Sequence, residues 1–155
     1  MDLILWRHAQ AQLLSASAPS DDLARQLTGK GERQAERMAA WLNQRLPEMT
    51  RILVSPAQRT QQTARALGRS FKTVESIAPG GCVDELLQAA RWPKARDPVL
   101  LVGHQPTLGM LAARLLTGQD LSWSIRKGAV WWLRGTERDG VLEVVLQAVQ
   151  SPDFL

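Results

Sequence analysis

Short apolar runs alternate with longer stretches of helical periodicity along most of the chain. Three runs, at residues 3–6, 52–54 and 98–102, have the length and composition of buried strands. In the stretches between and after them, apolar residues recur at the spacing typical of helices with one face on a core. Residues 128–133 and 141–149 predict two more strands, joined by a turn at Asp139-Gly140. Strands alternating with helices predict a three-layer α/β/α sandwich with a mainly parallel central sheet.

Capping residues and prolines indicate where the helices begin and end. Thr28 is the predicted N-cap of a first helix, which Pro47 ends. Ser55-Pro56 predicts the start of a second helix, with an apolar stripe that continues to Phe71. Two shorter helices are predicted over residues 84–92 and between Pro106 and Gly118, and a short edge strand is predicted at 73–75.

The composition is that of one ordinary globular domain over residues 1–155. Hydrophobic residues make up 45% of the chain and charged residues 22%, which is enough to build one core. Cys82 is the only cysteine, and the only histidines are His8 and His104, so neither a disulfide framework nor a closed zinc site is expected. The sequence has no signal-peptide pattern and no apolar run near the ~20 residues of a membrane span. We therefore expect a cytoplasmic protein that does not contact a membrane, and a monomer.

The charge of the chain is mildly positive and evenly spread. The formal net charge is +4, from 19 basic and 15 acidic residues that are interleaved along the sequence. Nucleic-acid binders usually concentrate their basic residues in a patch or stripe, so no nucleic-acid partner is expected. A mild positive excess is better suited to a phosphorylated protein or a small phosphorylated molecule.

Polar residues that carry chemistry follow each of the first three strands, as Arg7-His8, Ser55-Pro56 and Gly103-His104. The carboxyl ends of parallel strands share one edge of a sheet, where α/β proteins bind ligands. Arg59, in the first turn of the second helix, is expected to point back to the same edge. Arginine forks and helix N-termini bind phosphate without a metal, and a free histidine can attack phosphorus. Taken singly, each side chain also has an ordinary structural explanation: a boundary histidine, a solvated helix charge or a loop cap.

Over nearly its whole length the sequence resembles the histidine phosphatase superfamily, which has the phosphoglycerate mutase-like fold, and in particular its small branch of SixA-type phosphohistidine phosphatases. The resemblance lies in four separated motifs in the right order: Arg7-His8-Ala9; Asp22, Arg25, Leu27, Thr28 and Gly31; Ser55-Pro56 with Arg59, Gln62 and Thr63; and Gly103-His104 with Pro106 and Gly109. Ala9 stands where the family usually has glycine, as it does in many members of the small branch.

The resemblance implies that His8 attacks phosphorus and forms a phosphohistidine intermediate, which water hydrolyses. Arg7, Arg59 and His104 would then bind the phosphate oxygens, with no metal or other cofactor. The chain has no room for the large insertion that carries the general acid in mutases and sugar phosphatases. Glu85 is the nearest match to the acidic position, although it is equally typical of a solvated helix start. Asp22, in the long loop at residues 9–24, is the other carboxylate that we consider, either as a donor or as a partner of Arg25.

The lack of a clearly identified general acid indicates which leaving group the protein can release. An alkoxide leaving group needs a proton donor, and imidazole needs one much less. The sequence therefore predicts a phosphatase that acts on a phosphohistidine protein. Two alternatives stay open: a phosphatase of small phosphomonoesters, and a non-catalytic module that binds phosphate or phosphohistidine.

Overall fold

The computed structural model describes the backbone of residues 1–14 and 19–155, and the side chains of residues 1–14 and 21–155. Residues 15–18 of the predicted 9–24 loop lie outside this description. The described chain forms six strands, four α-helices and three short 3₁₀ turns. The strands are β1 (Asp2–Arg7), β2 (Arg51–Val54), β3 (Lys72–Thr73), β4 (Val99–Gly103), β5 (Val130–Arg138) and β6 (Val141–Gln150). The helices are α1 (Gly29–Asn43), α2 (Gln58–Arg65), α3 (Val83–Ala90) and α4 (Thr107–Thr117), and the turns are Pro19–Ala24, Glu75–Ile77 and Pro152–Phe154.

The strands form one sheet in the order β3-β2-β4-β1-β5-β6. β1 to β4 are parallel to one another, and β5 and β6 are added antiparallel beside β1, so the mainly parallel sheet is confirmed. β1 and β4 are neighbours, with Arg7 paired to Gly103. This register brings the ends of both strands, and the histidine that follows each of them, to one point on the sheet edge.

Side chains on β1 alternate between two apolar layers, as the pleat of a strand requires. Leu3 and Leu5 pack with residues of α3 and α4 on one face of the sheet, and Ile4 and Trp6 pack with residues of α1 and α2 on the other. All four of these side chains are fully buried. The predicted three-layer α/β/α arrangement is therefore confirmed, with the sheet between two pairs of helices.

The start of the first helix is confirmed in atomic detail. The Thr28 hydroxyl accepts a hydrogen bond from the Gly31 backbone N–H at 3.0 Å, the geometry of an N-cap. Gly31 also has a steric reason to be glycine, because a Cβ there would lie 1.9 Å from the Gln10 carbonyl oxygen. The helix thus begins directly against the chain that leaves β1.

The predicted bounds of the second helix are wrong at both ends. The helix begins at Gln58 with Ala57 as its N-cap and ends at Arg65, so Phe71 lies beyond it. Ser55 is fully buried at the end of β2, where its hydroxyl is held by His104 and by the Ala57 N–H. A serine held at the sheet edge in this way does not cap the helix. The edge strand predicted at 73–75 is found at Lys72–Thr73, and β5 continues to Arg138, past the predicted end at 133.

Candidate active site

The two histidines of the chain lie side by side at the carboxyl edge of the sheet. The His8 backbone N–H donates to the Gly103 carbonyl at 3.2 Å, which joins the ends of β1 and β4. The imidazole rings of His8 and His104 are 5.4 Å apart between centroids and are tilted by 50°. Both side chains are buried. The convergence predicted from the strand ends is therefore present in the structure.

The His8 ring is held in one orientation by its own backbone neighbour. Nδ1 lies 2.7 Å from the Ala9 carbonyl oxygen, which can only accept, so we assign the ring proton to Nδ1. Nε2 then carries a free lone pair. Burial, together with the positive charges of Arg59 and Arg7, lowers the pKa of His8 to about 4, against the weaker opposing effect of the Ala9 carbonyl. His8 is consequently a neutral imidazole at neutral pH, which is the protonation state of a nucleophile.

His104 is held through the opposite ring atom. Its Nε2 lies 2.7 Å from the Ser55 hydroxyl oxygen, which also accepts from the Ala57 N–H at 3.3 Å. The Ser55 hydroxyl has no other acceptor among the described residues, so we assign its proton to the bond with Nε2, and the ring proton of His104 to Nδ1. That Nδ1 is buried and has no hydrogen-bond partner among the described residues. Burial and the charge of Arg59 lower the pKa of His104 to about 3, so it offers the site an N–H donor without a full charge.

The guanidinium groups of Arg7 and Arg59 lie near the histidines, and each has a nitrogen without a hydrogen-bond partner in the described structure. Arg7 Nη1 donates to the Ile125 carbonyl at 2.8 Å, which anchors one end of its fork. Arg59 is only 3% exposed and lies at the start of α2. The Nε atoms of both arginines are buried without partners among the described residues. Burial lowers the pKa of each group, and the neighbouring Arg59 contributes to the effect on Arg7. Unpaired buried N–H donors are costly unless they meet an acceptor, so this arrangement favours an anion.

Asp22 contacts Arg59, a pairing that the sequence did not predict. Arg59 Nη1 donates to its backbone carbonyl at 2.8 Å, and Nη2 donates to its Oδ2 at 3.2 Å. The expected partner is also present, because Arg25 Nε donates to Asp22 Oδ1 at 3.0 Å. Burial opposes ionisation of Asp22, but Arg59 and Arg25 outweigh it and lower the pKa of the carboxyl. Asp22 and Arg59 are 37 positions apart in the sequence, and no pattern between them indicates this pair.

Residues of the third motif connect the chain after β1 to α2. The Thr63 hydroxyl donates to the Arg59 carbonyl at 2.7 Å and accepts from the Ala9 N–H at 3.1 Å. Gln62 Oε1 accepts from the Leu27 N–H at 2.7 Å. Ala9 is not among the residues with positive φ, so its backbone does not require the glycine that the family usually has there. These contacts hold His8 and Arg59 in a constant relative position.

The structure does not bring Glu85 into contact with the other four predicted site residues. Glu85 lies in the first turn of α3, is exposed, and lines a separate cleft together with Arg51, Lys72, Glu75 and Arg91. No described hydrogen bond joins it to the histidines or to the two arginines. In the described ranges, no three His, Cys, Asp or Glu side chains are grouped closely enough to hold a metal ion. No helix in the same ranges is long and apolar enough to span a bilayer.

Comparisons with known proteins agree with this geometry. Residues 3–79 match the histidine phosphatase superfamily (branch 1). The chain is 33% identical over 128 residues to phosphohistidine phosphatase SixA of Escherichia coli K12, a match that covers 77% of this chain and 76% of that protein.

Two solved structures extend the similarity to the whole fold. SixA from Nakamurella multipartitia has a TM-score of 0.78 at 30% identity, with 97% of this chain and 95% of that chain covered. The protein histidine phosphatase SixA complexed with tungstate has a TM-score of 0.76 at 27% identity, with 99% of each chain covered. The protein described here therefore belongs to the histidine phosphatase superfamily (branch 1), in its SixA-type group, and is a phosphatase.

Proposed function

We propose that this phosphatase removes phosphate from phosphohistidine carried on a protein, through a covalent intermediate on His8. The observation that supports this most directly is the state of the His8 ring. It is buried and neutral, its Nδ1 donates to the Ala9 carbonyl, and its Nε2 is free. A lone pair held in a fixed direction beside two guanidinium groups is suited to attack on phosphorus.

In the first step, His8 Nε2 forms a bond to phosphorus as the bond from phosphorus to the substrate imidazole nitrogen breaks. The departing imidazole keeps the electron pair and takes a proton from solvent. In the second step, a water oxygen bonds to phosphorus, the bond between phosphorus and His8 Nε2 breaks, and inorganic phosphate leaves. The water proton is released to solvent or to phosphate, and His8 returns to its neutral form.

Arg7, Arg59 and His104 stabilise the transferring group in this proposal. The Nε atoms of the two arginines and Nδ1 of His104 are buried without partners in the described structure, and we propose that they donate to phosphate oxygens. Three preorganised donors suit the charge that spreads over the equatorial oxygens during phosphoryl transfer. The two fixed positive charges do the work that a bound cation does in many phosphatases.

The carboxylates favour a phosphohistidine substrate over a phosphomonoester. Asp22 is the carboxyl that contacts this group of residues, and its lowered pKa keeps it ionised at neutral pH, when it cannot donate a proton. Glu85 makes no described contact with the group. A monoester would have to release a basic alkoxide without a donor, whereas imidazole has a pKa of about 6.5 and leaves more readily.

The decisive experiment follows one turnover in EDTA. A chemically phosphorylated histidine peptide is mixed with the protein, which is then denatured in alkali and digested. We expect alkali-stable, acid-labile phosphate on the peptide that contains His8, and none in His8→Asn. A folded His8→Asn variant that keeps substantial activity would contradict the proposal, and so would activity that EDTA removes and magnesium or zinc restores.

The His104→Asn variant is the comparison in the same experiment. It should still form the intermediate on His8, but more slowly, because it lacks a donor and keeps the nucleophile.

Three expectations remain predictions from the sequence: the single domain over 1–155, the cytoplasmic location and the monomeric state.

A further inference from the structure

Another depression lies against residues 125–129, the segment that hydrogen-bonds to Arg7 and His8. It is a cleft of about 510 Å³ between the chain that precedes β5, the end of β6 and the C-terminal turn. Its wall is mainly apolar and includes Arg126, Ala129, Trp131, Val149 and Phe154.

The cleft shares a wall with the active site. The Arg7 backbone N–H donates to the carbonyl of Ala129 at 3.1 Å, and the Arg7 side chain donates to the carbonyl of Ile125. The Gly128 N–H donates to the His8 carbonyl at 2.9 Å. Residues 125–129 therefore bind the two first-motif residues on one side and border the cleft on the other. A molecule in the cleft therefore contacts the same chain segment that holds Arg7 and His8.

Two apolar side chains of the cleft are open to solvent. Val149 is 50% exposed and Phe154 is 84% exposed. Trp131 is paired with Val149 across β5 and β6, and its other side packs on Trp123 at 6.0 Å between ring centroids. Adjacent exposed apolar side chains on a folded domain are typical of a surface that binds a partner.

The burial of the nucleophile determines where a protein substrate must lie. His8 is only 6% exposed, so a phosphohistidine side chain has to enter the pocket. The backbone of the substrate protein then stays at the mouth of the pocket, about one side-chain length from His8. The substrate residues that flank the phosphohistidine contact the surrounding surface of the phosphatase. The cleft borders that site through residues 125–129, which bind Arg7 and His8. Arg126 at its edge is exposed and lies 3.6 Å from Asp153, a long ion pair that leaves the guanidinium able to meet a partner carboxylate.

We propose that this cleft docks an apolar side chain, with a nearby carboxylate, from the protein segment that carries the phosphohistidine. The inference rests on the proposed function and adds how the substrate is selected. Trp131, Val149 and Phe154 form the apolar contact, and Arg126 pairs with the carboxylate. A free small phosphorylated molecule fills the phosphate pocket without reaching the cleft, so the cleft favours protein substrates.

The test uses the full chain and three phosphohistidine substrates. Two are helical peptides phosphorylated with phosphoramidate. The first has leucine at the positions three and four residues on each side of the phosphohistidine, and one glutamate nearby. The second has serine at all these positions. These positions share the helix face of the phosphohistidine. The third is free phosphohistidine, and p-nitrophenyl phosphate serves as a reference without a P–N bond.

The variant is Val149→Ser/Phe154→Ser, and Val141→Ser is the matched control. Val141 is 67% exposed at the opposite end of β6, so it tests the loss of an exposed apolar side chain away from the cleft. All the changed residues are exposed, and thermal melting checks that each variant is folded.

For the parent, we expect a KM for the leucine peptide about tenfold lower than for the serine peptide, the scale of a buried contact at an interface. The double variant should lose this preference, with kcat and the rate on free phosphohistidine unchanged, and Val141→Ser should retain it. Equal KM values for the two peptides with the parent, or an unchanged preference in the double variant, would overturn the docking proposal and leave the proposed function standing. Cleavage of p-nitrophenyl phosphate with no cleavage of any phosphohistidine substrate would overturn the proposed function itself.

Discussion

Arg59 is held by Asp22 through both of its terminal nitrogens, one on the backbone carbonyl and one on the carboxylate. This contact ties the Pro19–Ala24 turn to the start of α2 and leaves only Nε of the guanidinium without a partner in the described structure. The carboxylate therefore has two opposing effects on an incoming phosphate: it positions the arginine, and its negative charge repels the anion.

The charge of Asp22 should weaken product binding. In Asp22→Asn the backbone carbonyl still accepts from Arg59, while the negative charge is gone. We expect the inhibition constant of inorganic phosphate to fall by about three- to tenfold, on the ~1 kcal/mol scale of one charge near the surface. Asp21→Asn is the control, because Asp21 is the exposed neighbour with the same charge. Weaker phosphate inhibition in Asp22→Asn would show that positioning of Arg59 dominates.

Arg59 should differ sharply from the next arginine on its helix. Arg59→Ala removes a buried donor from the phosphate site, and we expect kcat/KM to fall by about two or more orders of magnitude, or ~2.7–4 kcal/mol. Arg65→Ala, at the exposed end of α2, should leave kcat/KM within about twofold, as is usual for surface changes. Equal losses in the two variants would mean that Arg59 does not bind phosphate.

Arg69 is unsuitable as the comparison, although the sequence predicted it on the same helix. It follows α2 and donates to Asn43 Oδ1 and to the carbonyls of Pro47 and Leu46. Its replacement should lower the melting temperature and leave the kcat/KM of the folded fraction unchanged.

The low pKa values of the two histidines predict how the protein responds to acid. Each folded-state pKa, about 4 for His8 and about 3 for His104, lies below the ordinary value of 6.5. The unfolded state therefore takes up protons first, and the stability associated with the neutral rings is present above pH 6.5 and decreases as the pH falls toward the folded pKa values. The melting temperature should decline from pH 6.5 to pH 4, and His104→Asn should reduce the slope.

The same values predict the behaviour of His8 in nuclear magnetic resonance. Its ring C–H resonances should not titrate between pH 8 and pH 5.5 in the free protein. A midpoint near 6.5 would contradict the lowered pKa of His8 and the burial that causes it.

Glu85 should matter little for phosphohistidine. We expect Glu85→Gln to hydrolyse a phosphohistidine peptide within about tenfold of the parent rate, below the ~10²–10⁴-fold effect of a general acid. Glu75→Gln is the matched control, because Glu75 lines the same cleft as Glu85. Complete loss of activity in a folded Glu85→Gln variant would support a role as proton donor and favour phosphomonoester substrates.

Much of the site was predictable from the sequence because its parts are local. Arg7 and His8 directly follow a buried apolar run, and His104 follows another, so the alternation of strands and helices was enough to predict a shared edge. The Thr28 cap was predictable for the same reason, since the hydroxyl and the N–H that it accepts are three residues apart.

The contacts that complete the site depend on the tertiary structure. Ser55 has the sequence pattern of a helix cap, but β2 and β4 bring it against His104, and that pairing overrides the local preference. Asp22 reaches Arg59 only because the Pro19–Ala24 turn lies over α2. Local patterns were enough to predict which residues lie at the candidate site. The packing of elements distant in sequence decided which ring nitrogen of His104 is held by Ser55, how the terminal nitrogens of Arg59 are paired and which cleft borders the segment that binds His8. These properties depend on atoms that only the folded chain brings together.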